Sequence, residues 1–122
     1  MEAIRTYERY LHITDNVEEI ASVLFNVGKT YDGIGDSIKA DGYYRRILNM
    51  ESLLMKSAKG NPHMKMFLII IKHYMHMDKE AEEEFNILYE KHKADVDSMT
   101  WNRYREVLKV DRMCHYVVRR IQ

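Results

Sequence analysis

The stretch that decides the fold is LFNVGKTYDGIGDSIKADGYYRRIL, residues 24–48. On both sides of its centre, apolar side chains recur every three or four residues, which is the spacing of one helix face and not the alternation of a strand. The centre, residues 32–35, has the sequence Asp-Gly-Ile-Gly and predicts a turn. Asp36 is then a good N-cap for the next helix. The stretch therefore predicts two helices joined as a hairpin.

The helical spacing continues towards both ends of the chain. Further helices are predicted over residues 1–12, over the largely apolar residues 64–77 that follow a restart at Asn61 and Pro62, from Asp78 onwards, and from Ser98 almost to the C-terminus. The second helix of the hairpin should run from Asp36 to Lys59 without interruption. The predicted starts of these helices are Asp15, Asp36, Asn61, Asp78 and Ser98. The sequence thus predicts an all-α fold, with about six helices in antiparallel hairpins and residues 1–122 as a single domain.

Composition narrows the class of protein. The chain has 122 residues, 46% of them hydrophobic and 31% charged, which is typical of a globular domain. One proline and five glycines argue against a β-sandwich or barrel, and one cysteine excludes an internal disulfide and a multi-cysteine metal site. The longest apolar run, Phe67–Ile71, is too short to span a bilayer. The start, MEAIRTYERYL, has no signal-peptide pattern, so we expect a cytoplasmic protein without a membrane partner.

The hairpin also carries a motif, Leu24-x-x-Val27-Gly28-x-x-Tyr31 followed by Ala40-x-x-x-Tyr44. This pattern resembles a tetratricopeptide repeat. Gly28 would let the partner helix approach closely, and Ala40 with Tyr44 would supply a small and a large side chain at the contact. Residues 21–48 form a fair copy, and residues 64–90 form a degenerate one that ends in Ala81-x-x-x-Phe85. The alternative interpretation is an irregular helical bundle.

The resemblance implies a binding groove, because tetratricopeptide repeats line their groove with the first helix of each hairpin. The residues at matching positions differ in chemistry but would face one partner. They are Phe25, Lys29, Asp32, Lys65, Leu68, Lys72 and Met75.

Charge is balanced overall, with 19 Lys and Arg against 19 Asp and Glu, but it is banded along the chain. Residues 1–36 and 78–97 are acidic, whereas residues 37–77 and 98–122 are basic. The bands could reflect neighbouring helices that neutralise each other, or a basic patch for an acidic partner that includes Arg119 and Arg120. A neutral chain without a recognised nucleic-acid module argues against nucleic acid as the partner.

Catalytic and metal chemistry finds little support. His73 and His76 lie three residues apart, but the sequence offers no further ligand at a recognisable spacing, so we expect no metal and no cofactor. A hydrogen-bonded structural histidine is the other interpretation of His73. The sequence contains no phosphate-binding glycine loop and no nucleophile elbow, so we predict that the protein is not an enzyme.

These features predict a non-catalytic interaction module that binds a peptide or a helix of a partner protein. One alternative is a small helical inhibitor, of the type that mobile elements or phages encode, which docks on a host enzyme and blocks it. Another is a small helical enzyme or nuclease. Nine Met and nine Tyr are compatible with a core or with a protein interface, so a homo-oligomer also stays open.

Overall fold

A computed structural model describes residues 4–6, 9, 15–110 and 112. All regular secondary structure in these residues is helical, so the predicted all-α class is confirmed. Contacts divide the chain into two compact units, Met1–Lys59 and Gly60–Gln122. The interpretation of residues 1–122 as one domain stays a prediction.

In the residues of the first unit that the structure describes, three helices have defined ends: α1 (Val17–Gly33), α2 (Ser37–Asn49) and α3 (Glu51–Ser57). Helices α1 and α2 pack against each other as the predicted hairpin. The chain turns at Gly35, whose φ of 86° is a conformation that favours glycine. The single helix predicted from Asp36 to Lys59 is wrong. A turn at Met50, whose amide bonds back to the carbonyl oxygens of Ile47 and Leu48, separates α2 from α3.

The second unit contains α4 (Pro62–Tyr74), α5 (Asp78–His92) and α6 (Ser98–Lys109). Its core joins side chains of all three helices and of the α5–α6 turn: Met66, Ile69, Ala81, Phe85, Leu88, Val96 and Trp101. Trp101 meets the rings of Phe85 and Tyr89 edge-on, at centroid distances of 5.9 and 5.2 Å. The long last helix predicted from Ser98 is interrupted, because Val110 has an extended backbone. Residues 113–122 lie outside the described residues.

Helix starts follow the predicted sites in two cases and shift by one residue in three. Asp36 and Asn61 cap α2 and α4 through their side chains. Asn16 caps α1 instead of Asp15, because its Oδ1 accepts from the amides of Glu18 and Glu19. Met77 precedes α5, and Asp97 replaces Ser98 as the cap of α6. In each of these three cases the predicted helix is present, and the residue next to the predicted one precedes its first turn.

The hairpin of the first unit has the close approach that was expected at Gly28. A Cβ on Gly28 would lie 2.6 Å from Cε1 of Tyr44, a distance that real side chains do not adopt. Tyr44 is fully buried, and its hydroxyl donates to Oδ2 of Asp32 at 2.8 Å. Ala40 is fully buried as well. Tyr31 is half-buried and is stacked on Tyr43 at a centroid distance of 5.6 Å.

Candidate functional site

The predicted groove residues of the first unit are mostly internal. Asp32 has no exposed surface and holds the Tyr44 hydroxyl, and Lys29 is only 8% exposed. Phe25 keeps partial exposure, with its ring 6.1 Å from that of Tyr44 and 6.0 Å from the Lys29 ammonium. Of these predicted residues, Phe25 is therefore the one that offers surface to a partner. A binding role for the set stays a prediction.

The predicted groove residues of the second unit divide in the same way. Leu68 is fully buried, and Lys72 is 5% exposed. Lys65 and Met75 are half-buried. Arg119 and Arg120, the predicted basic contribution from the C-terminus, lie outside the described residues. Met75 and Lys65 are thus the two that retain surface.

Lys65 and Lys72 both form ion pairs within the second unit. Glu84 of α5 lies between them, with Oε1 2.5 Å from Nζ of Lys65 and Oε2 2.6 Å from Nζ of Lys72. Partial burial acts to raise the pKa of Glu84, but the hydrogen bonds and positive charges of the two lysines outweigh it, so the pKa is lowered. Glu80 adds a second carboxylate 3.3 Å from Lys72. The pairing fastens α4 to α5.

Both ring nitrogens of His73 lie within hydrogen-bonding distance of an oxygen atom of the protein. Nδ1 lies 2.9 Å from Oδ1 of Asp78, and Nε2 lies 2.6 Å from the carbonyl oxygen of Val110. An oxygen atom of the protein thus occupies the position next to each ring nitrogen, where a metal ion or a substrate would have to bind. The geometry therefore favours the structural interpretation of His73. Within the described part of the chain, no group of three or more His, Cys, Asp or Glu side chains could hold a metal ion.

A second histidine makes a comparable contact in the same unit. Nδ1 of His63 lies 2.7 Å from the hydroxyl oxygen of Tyr104. Burial raises the pKa of the Tyr104 phenol, and the negative charge of Asp97 acts in the same direction. The pKa of Asp97 itself is lowered by the hydrogen bonds that it accepts from the amide and hydroxyl of Thr100. The two hydrogen bonds between Asp97 and Thr100 fix the start of α6.

The second unit contains an open cavity of about 370 Å³, which we call the α5/α6 cleft. It lies between the N-terminal half of α5 and the C-terminal half of α6, at the end of α4. Its lining combines an apolar floor with polar and charged walls: His73, Asp78, Ala81, Glu82, Phe85, Asn86, Arg105, Leu108 and Lys109. Six of these nine lining residues are polar or charged, and the other three are apolar.

The walls of the α5/α6 cleft carry opposite charges. Asp78 and Glu82 lie one helical turn apart on α5, and Arg105 and Lys109 lie one turn apart on α6. The Arg105 guanidinium lies 4.6 Å from the ring centroid of Tyr89, a distance at which the aromatic face attracts a cation. The cleft therefore has one acidic and one basic wall along its apolar floor.

The sequence contained a signal for this cleft that the groove prediction did not use. The signal consists of two pairs of charged residues, Asp78 with Glu82 and Arg105 with Lys109. Their four-residue spacing on two consecutive helices is visible in the sequence. The path of α6 beside α5 is not, because it depends on how Trp101 packs on Phe85 and Tyr89.

Comparisons with protein families, curated proteins and solved structures found no match to this chain. None of the helices in the described part of the chain combines the length and the hydropathy that a membrane span needs.

Proposed function

We propose that this protein is a non-catalytic interaction module that binds a peptide or a helix of a partner protein. The observation that carries the proposal is the α5/α6 cleft, whose volume of about 370 Å³ falls in the range of ligand-binding pockets. Its floor of Ala81, Phe85 and Leu108 can receive an apolar side chain, and its charged walls can orient what binds. An apolar centre with a polar rim is also the usual anatomy of a protein interface.

The state of His73 supports a binding role over a catalytic one. His73 lines the cleft, and its two ring nitrogens lie 2.9 Å from Oδ1 of Asp78 and 2.6 Å from the Val110 carbonyl oxygen, so neither nitrogen faces the open space of the cleft. A histidine held in this way stabilises the wall of the cleft, since it ties the end of α4 to the start of α5 and to the residue after α6.

The first hairpin enters the proposal as a tetratricopeptide-like scaffold. The close contact between Gly28 and Tyr44 supports that assignment, because a small residue opposite a large one is what the repeat pattern requires. The cytoplasm is the proposed compartment, since a chain with one cysteine has no internal disulfide for an oxidising environment to maintain.

Selection of a displayed random-peptide library on the full chain tests the proposal. We expect peptides to be recovered, and the double variant Glu82→Lys, Leu108→Ala should weaken their binding at least about tenfold in fluorescence polarisation, which is about 1.4 kcal/mol. The matched control is Glu83→Lys, which makes the same charge change on an exposed α5 residue that does not line the cleft. Circular dichroism verifies that each variant is folded.

A second double variant, Phe25→Ala with Met75→Ala, distinguishes the cleft from the groove predicted by the repeat resemblance. If it abolishes peptide binding while the cleft variant has no effect, the groove is the binding site and the cleft assignment is wrong. Failure to recover any peptide would contradict the interaction role itself.

A further inference from the structure

We infer that the occupant of the α5/α6 cleft is an amphipathic helix, with one apolar column between a basic flank and an acidic flank. The inference rests on the proposed function and names the chemistry of the partner. The length of the cleft, the shape of its floor and the signs of its walls carry it.

The length of the cleft matches a short stretch of helix. Its α5 wall extends from Asp78 to Asn86, which at 1.5 Å per residue is roughly 12 Å. Helices that dock in a groove use apolar anchors at positions i, i+4 and i+7, and these anchors span roughly 10.5 Å. The wall therefore accommodates one complete set of anchors.

The floor of the cleft combines small and large apolar side chains. Ala81 and Phe85 lie one turn apart on α5, so a small side chain stands beside a large one. Leu108 closes the floor from α6. An apolar side chain of the partner would lie over Ala81 and beside Leu108, next to the Arg105 guanidinium, which lies 5.8 Å from the centroid of the Phe85 ring.

The charges of the walls specify the two flanks. Asp78 and Lys109 are well exposed, with 66% and 68% of their side-chain surface accessible, so both can reach a partner. Inside the protein, Asp78 contacts His73 and Lys109 contacts Glu106 at 3.4 Å. A helix whose basic flank faces α5 and whose acidic flank faces α6 would extend both contacts. A helix with two like flanks would place one of them against a wall of its own sign, which disfavours it.

Three synthetic helical peptides of equal length test the inference. They share one leucine column and differ in their flanks, which are mixed, all lysine, or all glutamate. Each peptide is titrated into the full chain by isothermal calorimetry. We expect the mixed peptide to bind at least about tenfold more tightly than either of the others at low salt, with the difference shrinking as salt rises.

The variant Glu82→Lys gives the sharper readout. It reverses one charge of the acidic wall, so the mixed peptide should lose affinity and the all-glutamate peptide should gain it. Glu83→Lys, one residue further along α5 and outside the cleft, should change neither affinity.

The outcomes separate the inference from the proposed function. Equal affinities for the three peptides, or a Glu82→Lys variant without the opposed shifts, would overturn the charge-flanked helix. The interaction role would stand if library-selected peptides still depended on Leu108. If sedimentation shows that Glu82→Lys converts a dimer to a monomer, the occupant is a second copy of the chain and the inference is wrong.

Discussion

Gly28→Ala should destabilise the protein, although alanine normally favours a helix over glycine. The added Cβ would stand 2.6 Å from Cε1 of Tyr44, 3.0 Å from Cζ and 3.1 Å from Cδ1. All three atoms belong to one ring, so the ring would have to move as a body. This movement costs free energy, because Tyr44 is fully buried and its hydroxyl donates a hydrogen bond to Asp32.

The magnitude follows from two opposing effects. Replacing glycine by alanine in a helix contributes about 1 kcal/mol of stability. Overpacking a well-filled core costs about 1–3 kcal/mol, and the geometry here favours the upper part of that range because the obstructing atoms are fixed. We therefore expect Gly28→Ala to lower the free energy of unfolding by about 1–2 kcal/mol, and a bulkier residue to lower it further.

Gly42→Ala is the matched control. Gly42 lies in α2 of the same hairpin, and nothing lies within 4 Å of the position that its Cβ would take. Only the helix-propensity gain remains, so this variant should stabilise the protein by somewhat under about 1 kcal/mol. Both variants are measured by urea denaturation followed by far-UV circular dichroism.

A third measurement attributes the effect to the ring. Tyr44→Leu removes the atoms that the new Cβ would strike, so Gly28→Ala should cost less in that background than in the natural chain. A double-mutant cycle reports this difference as a coupling energy. If Gly28→Ala stabilises the protein as Gly42→Ala does, the close helix crossing is wrong, and the tetratricopeptide-like assignment of the hairpin fails with it.

Two further predictions concern the second unit. Glu84→Gln should destabilise the protein near neutral pH by about 1 kcal/mol, because Lys65 and Lys72 lose the negative charge that they share, while Glu80 still pairs with Lys72 and solvent screens part of the interaction. Because the pKa of Glu84 is lowered, its carboxylate stabilises the fold above the ordinary glutamate pKa, and this stabilisation is lost as the pH falls through the lowered pKa. In acid denaturation, the free energy of unfolding should therefore fall less for Glu84→Gln than for the natural chain over that pH range. Asp97→Ala should lower the melting temperature, because α6 loses its cap on Thr100, whereas Asp97→Asn should lower it less; equal melting temperatures for the two variants would contradict the cap.

The sequence predicted the helices well, because their signals are local. Apolar spacing and the residues Asp36 and Asn61 mark helix positions within a few residues of the chain. The close contact at Gly28 was predictable too, since a glycine inside an apolar helix face needs a packing reason. The break at Met50 was not, because no glycine or proline marks it.

The candidate site was less predictable, because burial of a charged side chain depends on a partner distant in sequence. Lys65 and Lys72 occupy groove positions by their spacing, yet both reach Glu84, which is 19 and 12 residues further along the chain. Periodicity places these lysines on a face of α4 but does not say what covers that face. The cleft was unpredictable for the same reason, because the sequence shows the residues of each wall but not the distance between the walls.

The acidic residues at the start of α5 lie on different sides of the helix. Successive residues of a helix point about 100° apart, so Glu82 and Glu84 point about 200° apart and lie on different sides of α5. Glu84 neutralises the lysines of α4, whereas Glu82 lines the cleft towards α6. Removing the first charge should therefore act on stability, and removing the second on binding. The acidic run at the start of α5 thus holds α4 in place through Glu84, while Glu82 lies on the side of the helix where we propose that a partner binds.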